Sequence, residues 1–127
     1  MTAKQHTIAV LFEAEPVNGK KQEYLDIAAE LGAELENIKG FISIERFQSI
    51  YNPEKILSLS FWENEEAIKQ WRNLDAHRKA QDTGRESIFQ NYRIRIATVV
   101  RDYGINMREE APSDSKYFHS EQLDRKK

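Results

Sequence analysis

The apolar residues of this chain change period along its length, and the order of those changes narrows the fold more than any single motif does. Over residues 6–14 they alternate: Ile8, Val10 and Phe12 point one way, while Thr7, Ala9, Leu11 and Glu13 point the other. Successive strand side chains leave opposite faces, and both rows are largely apolar, so a central strand covered on both faces is predicted. After Pro16-Val-Asn-Gly19 the spacing lengthens. Tyr24, Ile27, Ala28, Leu31, Leu35 and Ile38 then recur at steps of one, three or four, the stripe of an amphipathic helix. Gly40 follows, where a left-handed cap favours a residue without Cβ.

Alternation returns over residues 41–50, with Phe41, Ser43, Glu45 and Phe47 in one row and Ile42, Ile44, Arg46 and Gln48 in the other. The short turn Tyr51-Asn-Pro-Glu54 implies an antiparallel hairpin with residues 55–62. There Leu57, Leu59 and Phe61 oppose Ile56, Ser58, Ser60 and Trp62. The serine-bearing row suits a cavity wall better than a dry core. Asn64 is placed to cap a second helix, with Glu65 and Glu66 near its positive end. Ala67, Ile68, Trp71 and Leu74 form its stripe, and Gly84 stops the polar stretch 75–86. A last strand over 92–101 sets Tyr92, Ile94, Ile96, Thr98 and Val100 against Arg93, Arg95, Ala97, Val99 and Arg101.

Strand, helix, strand, strand, helix, strand is the order of the ferredoxin-like α+β plait, a four-stranded antiparallel sheet with both helices on one face. The other face needs a cover, and a second copy of the chain is the simplest one. The expectation is therefore a homodimer in which two sheets meet to form an α+β barrel. Residues 1–104 make this domain. Residues 105–127 carry Ile105, Met107, Tyr117, Phe118 and Leu123 among many charges without any period. They are expected to pack on the dimer partner and to fray at the end.

Composition removes several classes of function. Apolar residues make up 39% and charged residues 31% of 127, with a net charge of −2, so a polyanion binder is not expected. The plait also serves as an RNA-binding scaffold, but the apolar first strand and the net charge argue against nucleic acid. The chain has no cysteine, which excludes disulfides, thiolate metal sites and a cysteine nucleophile. No run approaches the roughly 20 apolar residues that cross a bilayer, and no signal peptide is recognisable, so no membrane partner is expected and the cytoplasm is the expected compartment. His6, His77 and His119 fall in three regions without ligand spacing, and neither a phosphate loop nor a GxSxG elbow occurs. No metal and no cofactor are assigned.

The remaining chemistry rests on aromatics, one histidine and two arginines. Trp62 and Trp71 are candidate walls of an aromatic-lined pocket for a flat organic molecule, with Phe12 and Phe47 as further wall or core residues. His77, six residues after Trp71, titrates near neutrality and can act as an acid–base group if the cleft reaches it. Arg93 and Arg95 lie on one strand face about 6.6 Å apart. They either grip a carboxylate or phenolate or pair with acids such as Glu45 at the dimer surface.

The strand Ile56-Leu-Ser-Leu-Ser-Phe-Trp62, the segment Glu63-Asn-Glu-Glu-Ala-Ile-Lys-Gln-Trp71, Asp75-Ala-His77-Arg-Lys-Ala80 and Gly40-Phe41 together resemble the antibiotic biosynthesis monooxygenase superfamily of dimeric α+β barrels. The resemblance covers about residues 6–103, and the tail resembles that of a subgroup with a longer C-terminus. It implies a cofactor-independent monooxygenase that oxidises a small aromatic, phenolic or quinol substrate with molecular oxygen. His77 would be the base, Trp71 and Trp62 the walls, and Arg93 or Arg95 the anion stabiliser. A non-catalytic dimeric binding protein and a haem-binding or haem-degrading enzyme are the alternatives. The haem-degrading branch uses an asparagine on the first strand, then a tryptophan and a histidine on the second helix. Those positions fall at or next to Phe12, at Trp71 and at Gln81, so one of the three matches.

Overall fold

The computed structural model describes residues 6–81 and 88–116, except for the side chains of residues 75–81. Its elements are β1 (Ile8–Pro16), α1 (Lys21–Leu35), β2 (Phe41–Gln48), β3 (Ile56–Trp62), α2 (Glu65–Gln81) and β4 (Phe89–Thr98). The four strands form one antiparallel sheet in the order β2-β3-β1-β4. This is the ferredoxin-like α+β plait read from the periodicity.

Both helices pack on the face that carries Ile8, Val10, Phe12 and Ala14 of β1. Two apolar clusters form there rather than one. In the first, Val10, Leu35, Trp62, Ala67 and Ile68 are buried, with Phe41 and Trp71 packed against them. The second gathers Ala14, Tyr24, Ile56 and Ile88, with Phe12 and Phe89 alongside. A domain of this size ordinarily builds one contiguous core. Here the serines of β3 stand between the two halves.

Several boundaries differ from the periodicity, each for a local reason. β1 runs on to Pro16 because past Ala14 it pairs with β4 alone. A proline without an amide hydrogen is tolerated where one edge is free, and a register shift at Glu15/Pro16 marks the place. In turn, β4 begins at Phe89 and ends at Thr98, three residues earlier at each end than predicted, because its extent follows its partner: Pro16 faces Phe89 and Ile8 faces Thr98. Helix α1 ends at Leu35 rather than at Ile38. Its last turn tightens into three-residue bonds, from Asn37 N–H to the Glu34 carbonyl and from Ile38 N–H to the Leu35 carbonyl.

The predicted rows of β2 are also corrected. A register shift between Phe41 and Ser43 leaves Ile42 as an extra residue, a bulge that turns Phe41 to the helix side. Phe41 consequently packs edge-on against Trp62 at 5.2 Å between ring centroids, in the same face as Ile44 and Arg46.

The capping signal at Asn64 takes the predicted form; Gly40 is left-handed as predicted, but it sits in the turn before β2, past the Glu36 cap, and does not end α1. Asn64 Oδ1 accepts the Ala67 N–H at 2.9 Å, capping α2. Gly40 has φ +97°, and a Cβ on it would stand 2.9 Å from the Ala67 Cβ. Its carbonyl also accepts the Glu63 N–H at 2.7 Å, so the backbone cannot move away without breaking that bond. Gly40→Ala is expected to lower stability by roughly 2–4 kcal/mol through the left-handed backbone and the contact with α2. Urea unfolding followed by circular dichroism measures it.

Candidate functional site

Between the two clusters lies a cleft with about 150 Å³ of free space, comparable to a cavity that holds benzene. Its floor is made of two cross-strand rows. Register places Arg46, Ser58, Phe12 and Ile94 in one, and Ile44, Ser60 and Val10 in the next. Helix α1 supplies the roof through Tyr24, Ile27, Ala28, Leu31 and Leu35, and Trp71 of α2 closes one side. Most of the lining is hydrocarbon, with hydroxyls and one guanidinium set into it.

Each end of the cleft is aromatic. At one, Phe12, Tyr24, Phe89 and Tyr92 form a chain of edge and tilted contacts with centroids 5.4–5.9 Å apart. At the other, Trp71 lies 5.9 Å from Trp62. Such contacts fix the ring planes at both ends of the cleft.

The polar groups are tied down by hydrogen bonds. Tyr24 and Ser58 share one across 3.0 Å, in which either hydroxyl can donate. Trp62 Nε1 donates to Ser60 Oγ at 2.8 Å. Both serines are buried, so these bonds remove the cost of unpaired hydroxyls and orient Tyr24 and Trp62 as they do so.

The predicted site residues separate. Trp71 and Phe12 line the cleft. Trp62 is fully buried behind it and reaches the space through Ser60 and Trp71. Arg93, Arg95 and Phe47 do not line it. Arg93 and Arg95 face Glu13 and Leu11 across the β1–β4 ladder, and Phe47 faces Leu57, all on the opposite side of the sheet. Because side chains alternate, Tyr92 and Ile94 take the cleft and the arginines cannot. Arg95 instead pairs with Glu13 at 3.3 Å, and Lys55 reaches the same carboxylate at 3.5 Å. This is the surface-pairing alternative, with Glu13 as the acid rather than Glu45. His77 and Gln81 belong to α2, and their side chains lie outside the described residues. His6 is exposed, and His119 falls outside the described residues.

Sequence reasoning missed Tyr24, Arg46, Phe89 and Tyr92 as cleft residues. Tyr24 sat in a helix stripe that reads as core, and Phe89 preceded the predicted strand. For Arg46 a signal existed: a cation in the same row as Ile44, opposite a strand row carrying two serines. Among the described residues no cluster of histidine, aspartate and glutamate could hold a metal ion. The described lining does not match the haem-degrading pattern: a ring stands at Phe12, at or next to the position where that pattern has an asparagine, and the free space of the cleft is benzene-sized.

A family model described as antibiotic biosynthesis monooxygenase matches residues 7–83, which spans β1 through α2 and includes the roof of the cleft and the β1, β2 and β3 parts of its floor. The chain belongs to the antibiotic biosynthesis monooxygenase family. It is 42% identical over 91 residues, 72% of its length, to a Pyricularia oryzae protein named jasmonate monooxygenase, covering 42% of that protein. A Bacillus subtilis protein without assigned function is 29% identical over 62 residues, covering 49% of this chain and 53% of that one. The chain thus spans about half or less of the curated relatives it matches. Solved structures extend the likeness at the level of fold. A Nitrosomonas europaea protein provisionally assigned to the same family superposes with a TM-score of 0.66 at 10% identity, covering 82% of this chain and all of that one. A Methanosarcina mazei protein gives 0.63 at 22% identity over 73% of this chain and 92% of that one. No helix among the described residues is long and apolar enough to cross a membrane.

The Tyr24–Ser58 bond makes the roof and floor of this family fold interdependent. Tyr24→Phe is expected to destabilise by about 1 kcal/mol, because it leaves a buried hydroxyl without that partner. Adding Ser58→Ala should cost less than the sum of the two single changes. A double-mutant cycle in urea measures the difference.

Proposed function

We propose that the cleft binds a small phenolic or quinol substrate and that the protein oxidises it with molecular oxygen, no bound cofactor supplying electrons. The observation that carries this reading is the benzene-sized apolar space between aromatic ends, with oriented hydroxyls on its floor, in a chain of the antibiotic biosynthesis monooxygenase family. A phenol with hydrogen at the reacting carbon can go to the quinone with one oxygen atom entering the product. The second oxygen atom leaves as water with two substrate hydrogens, so substrate and dioxygen balance the electrons between them. Trp71 and Phe12 serve as walls that hold the ring, and His77 on α2 is the proposed base. Ionisation of the substrate in an apolar cleft raises its ability to give an electron to oxygen, while hydroxyl donors steady the anion.

Oxygen uptake with a panel of single-ring hydroquinones and phenols tests the reading. Uptake with one atom of ¹⁸O₂ in the product and no accumulating peroxide is expected, with a drop of about tenfold or more for Trp71→Ala. Saturable binding without uptake would make the chain a small-molecule-binding protein instead. A saturable 1:1 Soret change with haemin would overturn the cofactor-free reading.

The homodimer is proposed on the other sheet face. Leu11, Leu57, Leu59 and Phe61 form its apolar centre, only partly buried within one chain, with Phe47 exposed beside them. Glu13, Lys55, Arg93 and Arg95 lie along one side. Val100, Ile105 and Met107, beyond β4, are all at least 72% exposed, and in this reading the extension from residue 105 packs on the partner. Leu59→Lys is expected to convert the dimer to monomer at micromolar concentration in sedimentation equilibrium, with the circular dichroism spectrum unchanged. Persistence of the dimer would remove this face as the interface.

A further inference from the structure

We propose that Arg46 is a carboxylate anchor within the cleft, so that the molecule bound there is a phenolic carboxylic acid rather than a neutral phenol. This rests on the reading of the cleft as a ligand site and names the class of ligand. Arg46 lines the cleft, and its Nε is buried with no hydrogen-bond partner. A buried guanidinium donor left unpaired is costly, more so than a neutral one. Among the described residues that line the cleft there is no aspartate or glutamate. The other arginine of the sheet with a defined partner, Arg95, has its carboxylate on the opposite face. Among the described residues that line the cleft none supplies an anion to Arg46, and a carboxylate entering the cleft would.

The surroundings fit a carboxylate. Arg46 lies directly across the β2–β3 ladder from Ser58, close enough for neighbouring side chains to share one ligand group. Ser58 and Tyr24 already share a hydrogen bond. That bond uses only one of their two hydroxyl hydrogens, so one further donor remains at this end of the cleft. The edge formed by Nε–H and an adjacent Nη–H presents two parallel donors, which match the two oxygens of a carboxylate; a phenolate offers one oxygen. With the carboxylate at Arg46, the ring extends over Ile44, Val10 and Phe12 toward Trp71. Free space of about 150 Å³ limits it to a single ring with a short side chain.

Isothermal titration with a matched set separates the possibilities: 4-hydroxyphenylacetate, its neutral amide, and phenol. Native protein is expected to bind the acid roughly 10- to 100-fold more tightly than the amide at pH 7. Arg46→Gln should erase that preference while leaving the amide's affinity within about twofold. Trp71→Ala should weaken acid and amide alike, because it removes a wall and not the anchor. Equal affinity of native protein for acid and amide would overturn the carboxylate anchor while leaving the cleft as a ligand site. Tighter binding of phenol than of the acid, rising with pH toward phenolate, would overturn it in favour of a phenolate site. Failure of native protein to bind any of the three would overturn the cleft reading itself and the anchor with it. The acid-to-amide ratio of native protein needs no variant, so misfolding of Arg46→Gln does not blunt the test.

Discussion

Two small hydroxyl side chains in the middle of the sheet keep the helices from closing onto it. Ser58 and Ser60 occupy the row that, filled with valine or leucine, would join the two apolar clusters into one core. Serine is too short to reach α1 by itself, and its buried hydroxyl must find a partner. Tyr24 reaches down from α1 to the first, and the Trp62 indole folds back to the second. Each bond therefore fixes a large aromatic side chain, and those side chains shape the neighbours: Tyr24 packs on Phe89, while Trp62 packs on Phe41 and Trp71. The cleft is thus a consequence of the packing order and not a gap left over from it.

The fold was legible in the sequence because every element reports its own period, and the serines in one period-two row of β3 already marked a cavity wall. Gly40 and Asn64 were legible for a related reason, since each meets a local backbone need that few residues satisfy. What escaped depends on pairs of strands rather than on single ones. No pattern within residues 41–50 announces that Ile42 is an extra residue, and only pairing with β3 shows that Phe41 turns inward. The extent of β4 is likewise set by the length of β1. Arg93 and Arg95 were correctly placed on one face, but choosing which face holds the cleft requires the register against β1. That register gives Tyr92 and Ile94 to the cleft.

The same alternation sorts charge between the two faces. On the outer side Glu13 lies between Arg95 and Lys55, all about one third to one half exposed. Ion pairs of this exposure contribute little to stability, and their effect is to frame the apolar Leu11, Leu57 and Leu59 with groups that solvate well. On the inner side Arg46 stands among hydrocarbon and hydroxyls without a carboxylate partner among the lining residues. One sheet thus carries a paired arginine where pairing matters least and an unpaired one where it costs most. That inversion is hard to account for by folding alone.

A floor built of alternating rows also explains how one fold can serve different chemistries. Backbone ladders hold the strands whatever the inward side chains are, so a residue on the floor can change without altering the register that positions its neighbours. At 10% and 22% identity the Nitrosomonas europaea and Methanosarcina mazei structures share this frame with TM-scores of 0.66 and 0.63 and need share nothing on the floor. Phe12 shows the consequence. At or next to the first-strand position where the haem-degrading pattern has an amide, a ring here joins Phe89 and Tyr92 and closes that end of the cleft with hydrocarbon. The polar work is left to the next strands over, where Ser58 and Arg46 share its row. The chemistry open to this chain follows from that row more than from the fold that carries it.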